Sequence, residues 1–245
     1  MNFLRSLAER IIRFAGPDAT NELLRSLLRD YEHLSYRRLR PLGFQPATIF
    51  DIGAYQGNWA TAARIIFPRS KIIMIEAQPD LQTRLERVAR RIGNATFHSC
   101  LLAAERAPSA TFFAMGTGSS MKPERSNASR EVLRLPARTL DQIWHSEMVI
   151  AEPVFVKLDV QGGELEVLRG ASEALRGAEW FQLECALLDY NEGAPQLQEV
   201  CAFMADFGFH PTEITGFSRP RDHLVQVDLL FARENSALRP AQFRF

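Results

Sequence analysis

The chain has 245 residues, 46% of them hydrophobic, which is enough for one sizeable core and ordinary for a single α/β domain with an N-terminal extension. Basic and acidic side chains balance at 29 each, so no net charge recruits nucleic acid or an acidic membrane. Cys100, Cys185 and Cys201 lie in apolar segments without Cys-x-x-Cys spacing, which argues against a disulfide framework and a zinc site and for buried, reduced thiols.

In chain order, residues 1–10 break into charge before a signal-peptide core could form, and no apolar run approaches the roughly 18 to 20 residues of a membrane span. A cytoplasmic protein with no integral membrane segment is expected. Phe3, Leu4, Leu7, Ile11 and Phe14 share one helical face, and Leu23, Leu24, Leu27, Leu28 and Tyr31 repeat the stripe after Gly16-Pro17-Asp18. These N-terminal helices offer a lid or a homodimer contact, or, with Arg5, Arg10 and Arg13 beside the stripe, a membrane-surface face. Packing on the main domain is the favoured expectation. The chain divides into a helical extension over 1–45, a main domain over 46–235 and a tail over 236–245.

The main domain alternates strand 47–52, helix 58–66, strand 71–76, helix 79–92 and strand 95–101, which implies a parallel sheet with right-handed crossovers. Strand one ends in Asp51-Ile52-Gly53-Ala54-Tyr55-Gln56-Gly57, a glycine turn at the place where open α/β sheets bind ligands. A dinucleotide fingerprint needs Gly-x-Gly-x-x-Gly, and Tyr55 stands where its middle glycine would be, so a cofactor without a pyrophosphate fits better. Glu76 ends strand two, placed to accept hydrogen bonds from both hydroxyls of a ribose. Glycine turn and acidic strand end together suggest S-adenosylmethionine. Between Ala110 and Leu135 an apolar run gives way to Gly116-Thr117-Gly118-Ser119-Ser120-Met121, read as an active-site loop.

Strand 153–158, helix 164–176, strand 179–187 and helix 195–207 resume the alternation. Two last strands, 209–215 and 224–232, have no helix between them and must pair antiparallel. The block Lys157-Leu158-Asp159-Val160-Gln161-Gly162-Gly163-Glu164, taken with Asp51-Ile52-Gly53-Ala54, Glu76-Ala77-Gln78-Pro79 and Arg138-Thr139-Leu140-Asp141, resembles the FkbM-type S-adenosylmethionine-dependent O-methyltransferases over roughly residues 45 to 190. Members commonly carry Glu at the position of Gln161, which keeps hydrogen bonds and loses charge. The resemblance implies a doubly wound, Rossmann-like class I methyltransferase sheet, mostly parallel with a C-terminal antiparallel hairpin. It also implies methyl transfer to a hydroxyl of a small molecule or glycan, with the paired serines Ser119 and Ser120 touching substrate, although as turn residues they need no such role.

An alcohol needs a base as its oxygen is alkylated. Asp159, at the mouth of the crevice, is the first candidate, with contact to the cofactor's amino group as its competing role and helix capping as the plainest one. Glu164 opens the next helix, where the dipole alone explains a carboxylate, and the resemblance makes it a second base or substrate residue. Glu184 lies in an otherwise apolar strand and needs a partner or a function. Asp51, Gly53, Ala54, Gly57, Glu76 and Ala77, with Asp159, form the expected cofactor site. No metal is expected. His98 and His145 lack visible partners and read as structural. Two other functions remain open: a non-catalytic binding module that retains the fold, and a nicotinamide-dependent oxidoreductase, which Tyr55 and the terminal hairpin oppose.

Overall fold

The computed structural model describes residues 31–220 and 223–240, so the helical stripes at 3–14 and 23–28 lie outside the described residues. The first described helix, α1 (Tyr31–Leu39), buries Tyr36 and Leu39 against the sheet. Alternation then gives β1 (Thr48–Ile52), α2 (Asn58–Ile66), β2 (Lys71–Glu76), α3 (Gln82–Ile92) and β3 (Ala95–Ser99), followed by β4 (Leu101–Leu102), β5 (Ala107–Ala114), β6 (Glu131–Arg138) and α4 (Leu140–Ser146). The second half comprises β7 (Val154–Leu158), α5 (Glu164–Arg169), α6 (Ser172–Gly177), β8 (Ala178–Ala186), α7 (Leu197–Asp206), β9 (Phe209–Ser218) and β10 (Gln226–Arg233).

Seven strands form one sheet in the order β3-β2-β1-β7-β8-β10-β9. The first five run parallel, and β10 pairs antiparallel with both β8 and β9. This is the doubly wound sheet with an antiparallel C-terminal pair that the sequence led us to expect. Strand order reverses between β1 and β7, and the crevice beyond their carboxyl ends is the natural ligand position. Both faces are covered. Phe50 and Ile52 of β1 pack with Val154, Val156 and Leu158 of β7 on one side, while Ile49 and Phe155 pack with Tyr36, Phe44 and Ile72 on the other.

Three sequence expectations are corrected. The strand expected over 95–101 stops at Ser99: the Cys100 N–H makes the last ladder bond, to the Glu76 carbonyl at 3.0 Å, and the chain then leaves the sheet because Leu101 and Leu102 pair with β6. The glycine-bearing loop after Ala114 is irregular over 115–130, but its flanks, for which no strands were expected, are β5 and β6, which pair antiparallel and with β4 make a second, three-stranded sheet. The helix expected over 164–176 breaks at Gly170, where a Cβ would stand 2.5 Å from the Ala103 carbonyl oxygen. The Asp141 carboxylate then starts α6 by accepting the N–H groups of Ser172 and Glu173 at 3.0 and 2.8 Å.

Candidate active site

Two chambers meet at the carboxyl ends of β1 and β7, sharing Gly53, Tyr55 and Asp159 as walls. The first, about 210 Å³, is mostly apolar and runs past Glu76, Ala77, Leu101, Leu102 and Phe112 to Ser119. The second, about 290 Å³, is polar and is lined by Glu32, Trp59, Lys157, Asp159, Glu184 and Asp228, among others.

Gly53 joins the chambers, and its need for glycine is sharper than a cofactor's approach. Its φ is +76°, and a Cβ would lie 1.9 Å from the Asp159 carbonyl oxygen, so the turns after β1 and β7 press backbone against backbone. Tyr55 takes the left-handed conformation at φ 44° that the expected glycine would have supplied. It is held there by its N–H, which donates to Glu76 Oε2 at 2.7 Å. The other oxygen of Glu76 accepts the Gln78 N–H at 2.9 Å. Glu76 therefore stands pre-oriented at the tip of β2, only 5% exposed and still on the chamber wall.

Asp159 follows β7 with its side chain 41% exposed. Lys157 Nζ lies 3.3 Å from Oδ2, and Gln161 Nε2 donates to Oδ1 at 2.9 Å. Burial works to raise this carboxyl, but the Lys157 charge and the Gln161 bond hold it below the usual carboxylate range. Gln161 donates equally to Glu184 Oε2 at 2.9 Å, so one neutral amide bridges two acids. Glu184, 7% exposed, also receives Gln226 Nε2 at 2.7 Å and the Tyr190 hydroxyl at 2.9 Å. Burial, then the Asp159 charge, push it well above its ordinary value.

The structure thus brings together Gly53, Ala54, Glu76, Ala77, Ser119, Asp159 and Glu184 on the chamber walls. Four expected residues stand elsewhere. Asp51 shares the Ile49 face of β1, wholly buried beneath the crevice and 3.6 Å from Lys157, its register partner on β7; burial pushes its carboxyl up to about 6. Gly57 caps α2 and faces α3, where a Cβ would stand 3.0 Å from Val88, so it serves helix packing. Ser120 is 1% exposed and donates to the Gln161 carbonyl at 2.7 Å, tying the β5–β6 connection to the β7 turn. Glu164 turns inward, its Oε1 accepting the Val160 and Gly162 N–H groups at 3.1 and 3.3 Å, and burial pushes it up to about 7. Ser119, although on the wall, spends its hydroxyl on the Gly116 carbonyl at 2.8 Å.

Lys157, Glu32, Trp59, Gln182 and Asp228 were not singled out from sequence as site residues. Gln182 and Glu184 alternate on one face of an apolar strand, a signal for both, and Asp228 interrupts an apolar strand in the same way. Glu32 carries no such mark. Its Oε1 accepts Trp59 Nε1 at 2.7 Å and Gln182 Nε2 at 2.6 Å, which closes the second chamber against α1. Cys100 lines the first chamber half-buried, and burial raises its thiol to about 11. His98 lies outside both chambers, with Nε2 2.7 Å from Glu147 Oε1.

The sequence profile of the methyltransferase FkbM domain matches residues 51–211. No curated protein matches this chain in sequence. Among solved structures, it is similar to precorrin-6y C5,15-methyltransferase from Geobacter metallireducens GS-15, at 16% identity over 82% of this chain and 86% of that one, with a TM-score of 0.46. It is also similar to magnesium protoporphyrin IX methyltransferase from Synechocystis PCC 6803 with bound SAH, at 11% identity over 92% of each chain, with a TM-score of 0.48.

Proposed function

Because the chain belongs to the FkbM methyltransferase domain family, we propose that it transfers a methyl group from S-adenosylmethionine to a hydroxyl oxygen of a small molecule or glycan. The observation that carries this reading is Asp159, a carboxylate on the wall common to a cofactor-shaped chamber and a polar one. The residues present fit the cofactor. Glu76 is fixed where it can accept from a ribose, the apolar slot between Ala77 and Leu101-Leu102 suits an adenine, and the Gly53 turn leaves room for the amino-acid end. When bound, the cofactor supplies a methyl group on a positively charged sulfur.

The chain's own task is to align an oxygen with that methyl group, keep water away and remove a proton. Alignment alone can supply several kcal/mol. Asp159, held ionised by Lys157 and Gln161, accepts a hydrogen bond from the acceptor hydroxyl and takes its proton as the new C–O bond forms. A carboxylate kept this acidic is a weak base, so its contribution lies as much in orienting the oxygen as in basicity. Gln161 and Lys157 are positioning residues for Asp159. Glu164 supports the same turn from below and touches neither chamber.

Calorimetry of the purified protein with S-adenosylhomocysteine and with the nicotinamide dinucleotides tests the cofactor. Binding of the first alone supports the reading, and binding of a dinucleotide alone overturns it in favour of an oxidoreductase. Methyl transfer from labelled S-adenosylmethionine to a panel of hydroxyl-bearing acceptors then separates an enzyme from a binding module.

A further inference from the structure

The second chamber holds more acidic groups than alkylation of a plain alcohol needs. Glu32, Asp159, Glu184 and Asp228 line it, and Lys157 is the one cation among its lining residues. That ammonium is already shared between Asp51 and Asp159, at 3.6 and 3.3 Å. Glu184 on β8 and Asp228 on β10 are register partners, so two acids stand directly opposite one another across an antiparallel pair. Like charges so placed are destabilising unless something positive lies between them.

The two acids differ in what the protein gives them. Glu184 has three donors, from Gln161, Gln226 and Tyr190. The Asp228 carboxylate has none among the described residues: the Thr215 hydroxyl beside it donates to the Asp228 backbone carbonyl. Burial, then the charges of Asp159 and Glu32, push its carboxyl up to about 7. Space is nonetheless made for it. On the far side, Gly216 of β9 lies opposite Asp228, and a Cβ there would stand 2.1 Å from Asp228 Oδ2. Among the described residues no three His, Cys, Asp or Glu side chains converge closely enough to hold a metal ion. Nothing among the described residues supplies that partner, and the group that suits two such acids is a cation with its own N–H donors, carried on a molecule large enough to fill the chamber.

We infer that the acceptor bears a protonated amine near the hydroxyl to be methylated, as an amino sugar or amino alcohol does, with its ammonium between Glu184 and Asp228 and its hydroxyl at Asp159. This rests on the methyl-transfer reading above. The same field turns away phosphorylated and carboxylated acceptors. Two of the chamber's amides, Gln182 and Gln226, stand beside these acids, able to bond the remaining hydroxyls of a sugar.

The test uses protein saturated with S-adenosylhomocysteine, which carries the cofactor's own ammonium, so that charge is in place before any acceptor is added. Glucosamine, glucose and glucose 6-phosphate are then titrated at neutral pH by calorimetry. Glucosamine is expected to bind about ten-fold or more tightly than glucose, the scale of one charge-assisted hydrogen bond, and the phosphate not at all. Asp228→Asn, and separately Glu184→Gln, should each erase that preference while leaving S-adenosylhomocysteine affinity within about two-fold, a readout that also shows the variant is folded. Glucose binding as tightly as glucosamine, no glucosamine binding, or a preference that survives both substitutions overturns the inference and leaves methyl transfer standing. Failure of S-adenosylhomocysteine to bind the unaltered protein removes both.

Discussion

The two chambers solve the problem of holding acids in opposite ways. At the tip of β2, Glu76 is gripped by main-chain N–H groups from Tyr55 and Gln78, donors that cost nothing to orient because the turns that carry them are already fixed. At the tips of β7, β8 and β10, Asp159, Glu184 and Asp228 are served by side chains or by nothing, and after burial it is the Asp159 charge that raises the proton affinity of the other two. A backbone-held acid is ready for a neutral, hydroxyl-rich ligand. An acid held by its neighbours waits for charge. On the proposed methyl-transfer reading, the cofactor's acid is fixed by the backbone and the acceptor's acids are fixed by side chains.

The comparison can be broken most completely at the wall both chambers share. Gly53→Val is expected to destabilise the protein by at least about 3 kcal/mol and to abolish S-adenosylhomocysteine binding, because its Cβ would overlap the Asp159 carbonyl and φ +76° suits no branched residue. Thermal unfolding and calorimetry would show both. If the variant binds normally, the two turns are not in the contact described.

Asp159→Asn separates the chambers functionally. It should leave cofactor affinity near its original value, since an amide oxygen still receives Gln161, and lower single-turnover methyl transfer by about 10²-fold or more. Affinity and turnover falling together would instead assign Asp159 to the cofactor's amino group. Glu76→Gln acts on the other side. It should weaken S-adenosylhomocysteine about ten-fold and leave the discrimination between acceptors unchanged. A change in acceptor preference would mean that the two chambers are not independent.

The smallest effect concerns pH. Burial raises Glu164 to about 7 and Asp51 to about 6, above their ordinary values near 4.5 and 3.8. The folded state then holds more protons than the unfolded one, so the stability these groups contribute is complete below their unfolded values and lost as pH rises through about 6 to 7. Melting temperature of the ligand-free protein should fall by a few degrees from about pH 5 to pH 8, at roughly 2 to 4 °C per kcal/mol. Glu164→Gln, whose amide oxygen can still accept from Val160 and Gly162, should flatten part of that slope. An unchanged slope would mean that Glu164 is not protonated in the native state.

Much of the sheet was legible because its strands are apolar, short and separated by turn signals, and the β1, β2 and β7 ends carried the Gly53, Glu76 and Asp159 motifs in plain view. The β5–β6 hairpin was not. In β6 most side chains are exposed or half-buried and Pro136 interrupts the run, so the segment lacks the apolar signal of a core strand. Asp51 was misplaced although period-two alternation puts it on the same face as Ile49, which the core claims. The acidic chamber was beyond reach for a different reason. Residues 159, 184 and 228 meet through strand order and register and residue 32 through the packing of α1 on the sheet, and nothing local to any of them announces the others.

Trp59 gives the molecule a built-in optical gauge. Of the chain's three tryptophans, Trp180 is 2% exposed in the core and Trp144 stacks on Phe50 at 5.2 Å, while Trp59 alone forms part of the second chamber's wall. Its indole N–H is bonded to Glu32 and the Lys157 ammonium sits 5.4 Å over its ring, so its emission is tuned by the same charges that an incoming molecule would rearrange. With Trp144 replaced by Phe to quiet the background, the colour of the remaining fluorescence would report whether the acidic chamber is empty or filled, without a label and before any turnover takes place.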